Sequence, residues 1–284
     1  MATFEFKDKT FYIDGRLKLQ LDKKIIPDLK KKDKDVVFIV DGAERSGKSV
    51  FAMILGAYVA SILKTEFNLS NVCMNPDEFR RKIEGAEKNQ VVIYDEAHRG
   101  MASSRALSEI NKILKDLMME MGQKNLFVMV ILPTFFLLDK YAALFRAIGL
   151  FHIYENRRRR GFWVYYNKNN KIRLYMKGKR EFNYNCIKYP YFRGRFYNQY
   201  GVEEEEYRIK KRDSFKNKPI PAKEERFKGQ RDRLIWVLHK ELGLSSLKLT
   251  KVMKFYGLGL AGTAIRDILR KIREKEGKSA VDTN

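Results

Sequence analysis

The stretch Gly42-Ala43-Glu44-Arg45-Ser46-Gly47-Lys48-Ser49 has the spacing G-x-x-x-x-G-K-[ST]. It lies between a β-branched run, Val36–Val40, and an apolar, alanine-rich stretch. In such a loop, backbone N–H groups at a helix N-terminus surround phosphate oxygens, the lysine reaches the β- and γ-phosphates and the serine hydroxyl holds Mg²⁺. Gly42, Ala43, Glu44, Arg45, Ser46, Gly47, Lys48, Ser49 and Val50 are therefore expected to bind ATP, with Lys48 also acting in catalysis. The plain alternative is a glycine turn ahead of a core helix.

A second group is Val91-Val92-Ile93-Tyr94-Asp95-Glu96. Four apolar residues ending in Asp95 would put its carboxylate at the end of a neighbouring strand, where it can hold the hydration shell of the Mg²⁺ that Ser49 binds. Glu96 would then orient or deprotonate an attacking water. Such a pair favours hydrolysis over simple nucleotide binding and argues against a small-molecule kinase. An acidic pair beyond a core strand is the alternative.

These motifs, with a later apolar strand ending in a polar residue, resemble the additional-strand P-loop ATPases with a RecA-like core. The nearer resemblance is to the FtsK/HerA superfamily and to zonula occludens toxin-like ATPases of viruses and mobile elements. It covers residues 36–155 and implies ATP and Mg²⁺ as cofactors. It also implies a γ-phosphate sensor at the end of the strand Leu126–Thr134. Thr134 matches that position, and Phe135 stands where the family often has glutamine. The letters Asp95-Glu96-Ala97-His98 spell a helicase group's name, but too little chain follows for that group's second RecA-like domain.

The same resemblance implies arginines that act on phosphate. Arg45 lies inside the loop, where large viral packaging ATPases also carry a basic residue, and could reach the γ-phosphate from its own chain. Arg105 and Arg146 are the candidates for a finger offered to a neighbouring subunit, with Arg99 considered beside them. A solvent-exposed arginine is the alternative reading of each.

Charge separates the chain into regions. The whole carries 58 basic and 35 acidic residues, net +23. The balance is +3 over residues 1–156 (24 basic, 21 acidic), +12 over 157–200 (13 and 1) and +8 over 201–284 (21 and 13). An excess concentrated outside the nucleotide region points to a long polyanion. Arg157, Arg158, Arg159 and Arg160 repel one another unless an anion lies nearby, and Phe162, Trp163, Tyr165, Tyr166, Tyr175 and Tyr191 interleave with cations as in nucleic-acid surfaces. A sheet extension with core aromatics and solvated charges would look the same.

The elements that would position these groups read as an α/β chain with a RecA-like parallel sheet, a β-hairpin extension and a small C-terminal helical, helix-turn-helix-like domain. The expected segments are an N-terminal β-hairpin extension at 1–35, turning at Asp14–Arg16, and an ATPase core at 36–156. A basic aromatic β-hairpin folded around Asn167–Asn170 follows at 157–202, then a charged linker at 203–225 and three helices at 226–284. Strands are expected at Val36–Val40, Asn71–Met74, Val91–Glu96, Leu126–Thr134 and Gly149–Glu155, and helices at 47–64 and 106–121. In the last domain Leu234, Ile235, Val237, Leu238 and Leu242 would form the first helix's apolar face. Arg266, Arg270 and Lys271 would meet DNA from the third helix. A protein-docking bundle has the same pattern.

The two cysteines, Cys73 and Cys186, are far apart, and the reading is a reducing, cytoplasmic setting. Leu126–Leu138 is too short to span a bilayer and contains Pro133, so no integral membrane segment is expected. The expectation is an ATP-hydrolysing motor that translocates, packages or remodels DNA, duplex foremost, working as a homo-oligomeric ring. A nucleotide-switched DNA-binding regulator or loader, and a toxin-like assembly or export ATPase, are the rival readings.

Overall fold

The computed structural model describes residues 2–95, 111, 124–157, 159–216, 222–255 and 260–279. The chain forms two units, Met1–Asn217 and Lys218–Asn284.

The first unit is α/β. Its seven-stranded, mostly parallel sheet runs β4(Val72–Cys73), β5(Val91–Asp95), β6(Phe127–Ile131), β3(Val36–Gly42), β7(Gly149–Asn156), β8(Arg159–Asn167), β9(Phe192–Arg195). Strands β4 through β7 are parallel, and β8 and β9 add antiparallel. The glycine loop leaves β3 and Asp95 ends β5, with β6 between these two strands. β3, β5 and β6 are buried along their whole length, which is why they read as unbroken apolar runs rather than alternating ones. Alternate side chains serve opposite layers. Val36, Phe38 and Val40 join one core cluster; Val37 and Ile39 join the other.

Helix α3(Lys48–Leu63) follows the loop and is apolar nearly all round. It can be so because the sheet covers one side and the N-terminal segment another: Phe4 lies 5.1 Å from Tyr58, ring to ring. That segment is the hairpin β1(Ala2–Phe6) and β2(Lys9–Ile13), turning at Lys7 and Asp8, both with positive φ as a two-residue turn needs. The turn is thus not at Asp14–Arg16. Asp14 caps helix α1(Gly15–Gln20), accepting from the N–H groups of Arg16 and Leu17 at 3.0 and 3.1 Å. Along α1, the wider helical turn Leu21–Ile25 and α2(Ile26–Lys31), Leu17, Leu21, Ile25 and Leu29 are buried at a spacing of four. A short α4(Pro76–Glu84) covers the far side of β4 and β5.

The expected basic hairpin differs too. β8 pairs with β7 and β9, and the residues meant for its second arm form α5(Lys168–Gly178). Asn167 starts that helix by accepting from the Asn170 N–H at 3.0 Å, and Lys171, Leu174, Tyr175 and Gly178 recur at helical spacing on its buried side. The expected linker begins with another helix, α6(Glu204–Lys216), which belongs to the first unit.

The second unit contains α7(Ala222–Glu241), α8(Ser246–Phe255) and α9(Gly262–Ser279) around Ile235, Leu249, Met253, Ile265 and Leu269. Ser245 caps α8. Only part of the expected α7 face is inside. Ile235 is buried, while Leu234, Val237 and Leu242 are exposed. Among the described residues no helix is long and apolar enough to cross a membrane.

Candidate functional site

The loop Gly42–Ser49 leaves the carboxyl end of β3 under tight constraint. Gly42 has φ 139°, and a Cβ there would lie 2.1 Å from the Ile153 carbonyl oxygen. Only glycine lets the loop pass this close to β7. Gly47, with φ 98°, starts α3 against the Phe196 ring. Lys48 is buried and folds back, its Nζ donating to the carbonyl oxygens of Gly42 at 2.7 Å and Ala43 at 2.6 Å. Burial depresses the Lys48 pKa and Lys211 adds to this, against the opposing pull of Asp41, Asp95 and Glu44.

Asp95 is buried beside the loop. Its Oδ2 accepts from Tyr207 Oη at 2.5 Å and from Lys211 Nζ at 3.2 Å, and the same ammonium donates to Ser49 Oγ at 3.4 Å. Burial alone would push the Asp95 carboxyl up. The Lys211 charge and the hydroxyls of Tyr207 and Ser49 outweigh it and hold the group below the ordinary carboxylate range. Tyr207 moves the opposite way, raised first by burial and then by the Asp95 charge.

Asp95 Oδ1 and Ser46 Oγ are buried without a hydrogen-bond partner among the described residues. A hydroxyl, a carboxylate and an unused carboxylate oxygen form a hard-oxygen set of the kind Mg²⁺ takes, so Ser49 and Asp95 fit that ion. No cluster of three or more His, Cys, Asp or Glu suited to a metal occurs among the described residues.

A cavity of about 690 Å³ opens over the loop. Beyond loop residues it is lined by Arg160, Phe196, Tyr197, Tyr200, Arg208 and Lys211. The loop residues thus share a chamber with aromatic rings and three further cations.

A polar cluster occupies the adjacent carboxyl ends of β3, β6 and β7. The buried Asp41 carboxylate contacts His152 Nδ1 at 2.9 Å, accepts from the Phe135 N–H at 2.7 Å and accepts from the Tyr184 hydroxyl. Thr134 Oγ1 is 2.8 Å from Tyr184 Oη. Thr134 therefore does come to the loop's end of the sheet, as its sensor reading requires, but its hydroxyl is engaged by Tyr184.

Glu44 through Val50 and Arg160 line one cavity, Asp95 meets two of its other lining residues, Tyr207 and Lys211, and Arg45 stands exposed at the loop's crown with φ 60°. Arg146 does not join them. It pairs with Asp35 at 3.6 Å, just ahead of β3, at the amino end of that strand. The loop is at the carboxyl end, about 20 Å away at strand rise. The chain returns to the opposite end of the sheet before a parallel strand can begin, and Arg146 lies on that return. Arg157 and Arg159 are exposed around the β7–β8 turn, and Arg160 pairs with Glu155 at 3.0 Å. Arg266, Arg270 and Lys271 are exposed on α9, where Arg270 also pairs with Asp267 at 3.3 Å. Glu96, His98, Arg99, Arg105 and Arg158 lie outside the described residues.

The sequence reading did not anticipate Tyr207, Lys211, Asp41, His152 or Tyr184. Asp41 alone left a signal, an acid closing a β-branched run directly before the loop. Tyr207 and Lys211 are four apart in a segment whose charge suggested solvent.

No protein-family model and no curated protein matches this chain. A chain of the solved E. coli MS115-1 HORMA:CdnC:Trip13 complex is similar at 16% identity over 49% of this chain and 52% of that chain, with a TM-score of 0.31. The match thus spans about half of that chain's length, and so low a score carries no argument about fold or function.

Proposed function

We propose that this chain is an ATP-hydrolysing, DNA-binding motor that translocates, packages or remodels DNA. The observation that carries the reading is that Lys48 and Ser49, after β3, line one cavity, while Asp95, ending the strand two places away, is joined to Ser49 through the Lys211 ammonium. That strand order is what a RecA-like, additional-strand ATPase requires.

In this reading the phosphates lie along the N–H groups of residues 43–49, and Lys48 exchanges the carbonyls of Gly42 and Ala43 for phosphate oxygens, better acceptors because they are charged. Ser49 and Asp95 would hold Mg²⁺, which when bound neutralises charge on the β- and γ-phosphates. Glu96, directly after Asp95, takes the proton from the attacking water. Thr134 senses the γ-phosphate through its neighbours Asp41 and Tyr184. Arg45, Arg160 and Arg208 add positive charge on the solvent side. Arg157–Arg160 and the α9 face with Arg266, Arg270 and Lys271 hold DNA, duplex foremost, and the active species is a homo-oligomeric ring in the cytoplasm.

A second reading, the nucleotide-switched regulator or loader, is favoured by one observation. Leu234, Val237, Leu242 and Leu247 are exposed on the second unit, as a protein-docking bundle would have them.

The deciding experiment is ATP turnover with and without long duplex DNA, for the wild type, Lys48→Ala and Glu96→Gln. A motor is stimulated by duplex; Lys48→Ala loses nucleotide binding; Glu96→Gln binds nucleotide but turns over at least about 100-fold more slowly. Absence of nucleotide binding rejects the proposal, and slow turnover indifferent to DNA selects the regulator.

A further inference from the structure

Lys211 occupies an unusual place for a lysine in a charged surface helix. Its ammonium is 3.2 Å from Asp95 Oδ2, 3.4 Å from Ser49 Oγ and 2.9 Å from Tyr207 Oη, so its three donors face the two side chains suited to a divalent ion and the hydroxyl that braces one of them. A metal on those two oxygens would bond at roughly 2.0–2.1 Å. Bonded to Ser49 Oγ, it would lie no more than about 5.5 Å from the ammonium, where like charges repel. One cation must leave.

The surroundings indicate which part moves. The backbone of α6 is pinned: Lys210 Nζ donates to the carbonyls of Leu69 at 3.2 Å and Val72 at 2.6 Å and pairs with Glu78, and Tyr207 is buried in the core. Gly201, just ahead of α6, comes so close to α3 that a Cβ would be 2.4 Å from the Met53 carbonyl oxygen. Lys211 itself keeps 21% of its side chain exposed and lines the cavity where a polyphosphate would lie. Its four-carbon stem can swing while the helix stays.

We propose that Lys211 is a tethered cation that holds the metal position until a metal-bound nucleotide displaces it onto phosphate, so that the nucleotide-free protein excludes divalent metal from Asp95. This rests on the reading of the cavity as a Mg²⁺-nucleotide site. Tyr207, fixed in the core, keeps Asp95 oriented through the exchange.

The test uses the full chain and two probes, Mn²⁺ alone, followed by electron paramagnetic resonance, and a fluorescent ATP analogue with Mg²⁺. Without nucleotide, the wild type and Lys211→Arg bind Mn²⁺ weakly, and Lys211→Met binds it at least about tenfold more tightly. The melting temperature of Lys211→Met, lowered by the unpaired carboxylate, rises by about 3 °C or more on adding Mg²⁺, while that of the wild type stays. Should Lys211→Met not fold, Lys211→Gln carries the same expectation.

Equal Mn²⁺ affinity in the wild type and the uncharged variant, with the analogue bound by both, overturns the inference and leaves the nucleotide site standing. Analogue binding by the wild type that is equally tight with and without divalent metal also overturns it, because Lys211 would then be a permanent substitute for the ion. Failure of the wild type to bind the analogue, or binding unaffected by Lys48→Ala, removes the nucleotide reading itself.

Discussion

The rings of Tyr184 and His152 stack 3.9 Å apart, centroid to centroid, at an angle of 21°, while both side chains reach opposite oxygens of Asp41. One buried carboxylate at the end of β3 is thereby bound to β7 through His152, to the end of β6 through the Phe135 N–H, and to the 184–186 turn.

Tyr184→Phe keeps the stack and removes the hydroxyl shared by Asp41 and Thr134. Stability should fall by about 1–3 kcal/mol, the cost of a buried acceptor losing a donor. A urea midpoint equal to the wild type's would show that the hydroxyl contributes nothing to the fold.

Gly42→Ala tests the loop's exit from the sheet. The added Cβ would meet the Ile153 carbonyl at 2.1 Å, and backbone there cannot yield cheaply. A loss of about 3 kcal/mol or more is expected, with nucleotide affinity lost in any folded fraction. Wild-type thermal stability in this variant would mean that β3 and β7 are not so close.

Lys171 gives a pH signature. Its ammonium is buried on α5, donating to the carbonyls of Ala143 and Leu144, and burial pulls its pKa down from the ordinary 10.5 to about 8. Between those two values the unfolded chain keeps a proton that the folded chain has released, so the wild type gains stability as pH rises from about 8 to about 10.5. Relative to Lys171→Met the gain totals about 3 kcal/mol. Parallel stability curves for the two proteins across this range would contradict the buried charge.

Duplex binding, if it uses the β7–β8 turn, depends on salt in proportion to the phosphates contacted. Arg159→Ala should weaken affinity about equally for unrelated sequences and lower the slope of log affinity against log salt by about 1. Arg160→Ala should do this and also weaken nucleotide binding, because Arg160 lines the cavity over the loop. Fluorescence anisotropy over a salt series separates the two; unchanged slopes exclude this turn from the DNA contact.

The central parallel strands were legible because they are buried on both faces and read as apolar runs, and Val36–Val40 and the partly exposed Gly149–Glu155 differ from the observed strands only at their ends. Punctuation misled where one residue type serves two purposes. Asp14 and Asn167 suit a turn as well as a helix start, and only the four-residue spacing of Leu17, Leu21, Ile25 and Leu29 distinguishes the cases. Helix α6 was hidden by its polarity, since among its described side chains only Tyr207 is buried, and others make hydrogen bonds and ion pairs such as Arg208 with Glu204 at 2.5 Å. Its acidic first turn is the sign that favoured a helix over a linker. The glycine loop and Asp95 were legible from local spacing. Lys211 was not, because it lies 116 residues from Asp95 and no local pattern records that meeting.

The sheet border at β4 is two residues long, and Lys210 already takes the outward carbonyl of Val72. Little unclaimed backbone is left there for another strand to dock on. Were copies to gather into the proposed ring, that rim would offer almost no ladder to extend, and contacts made there would fall to side chains.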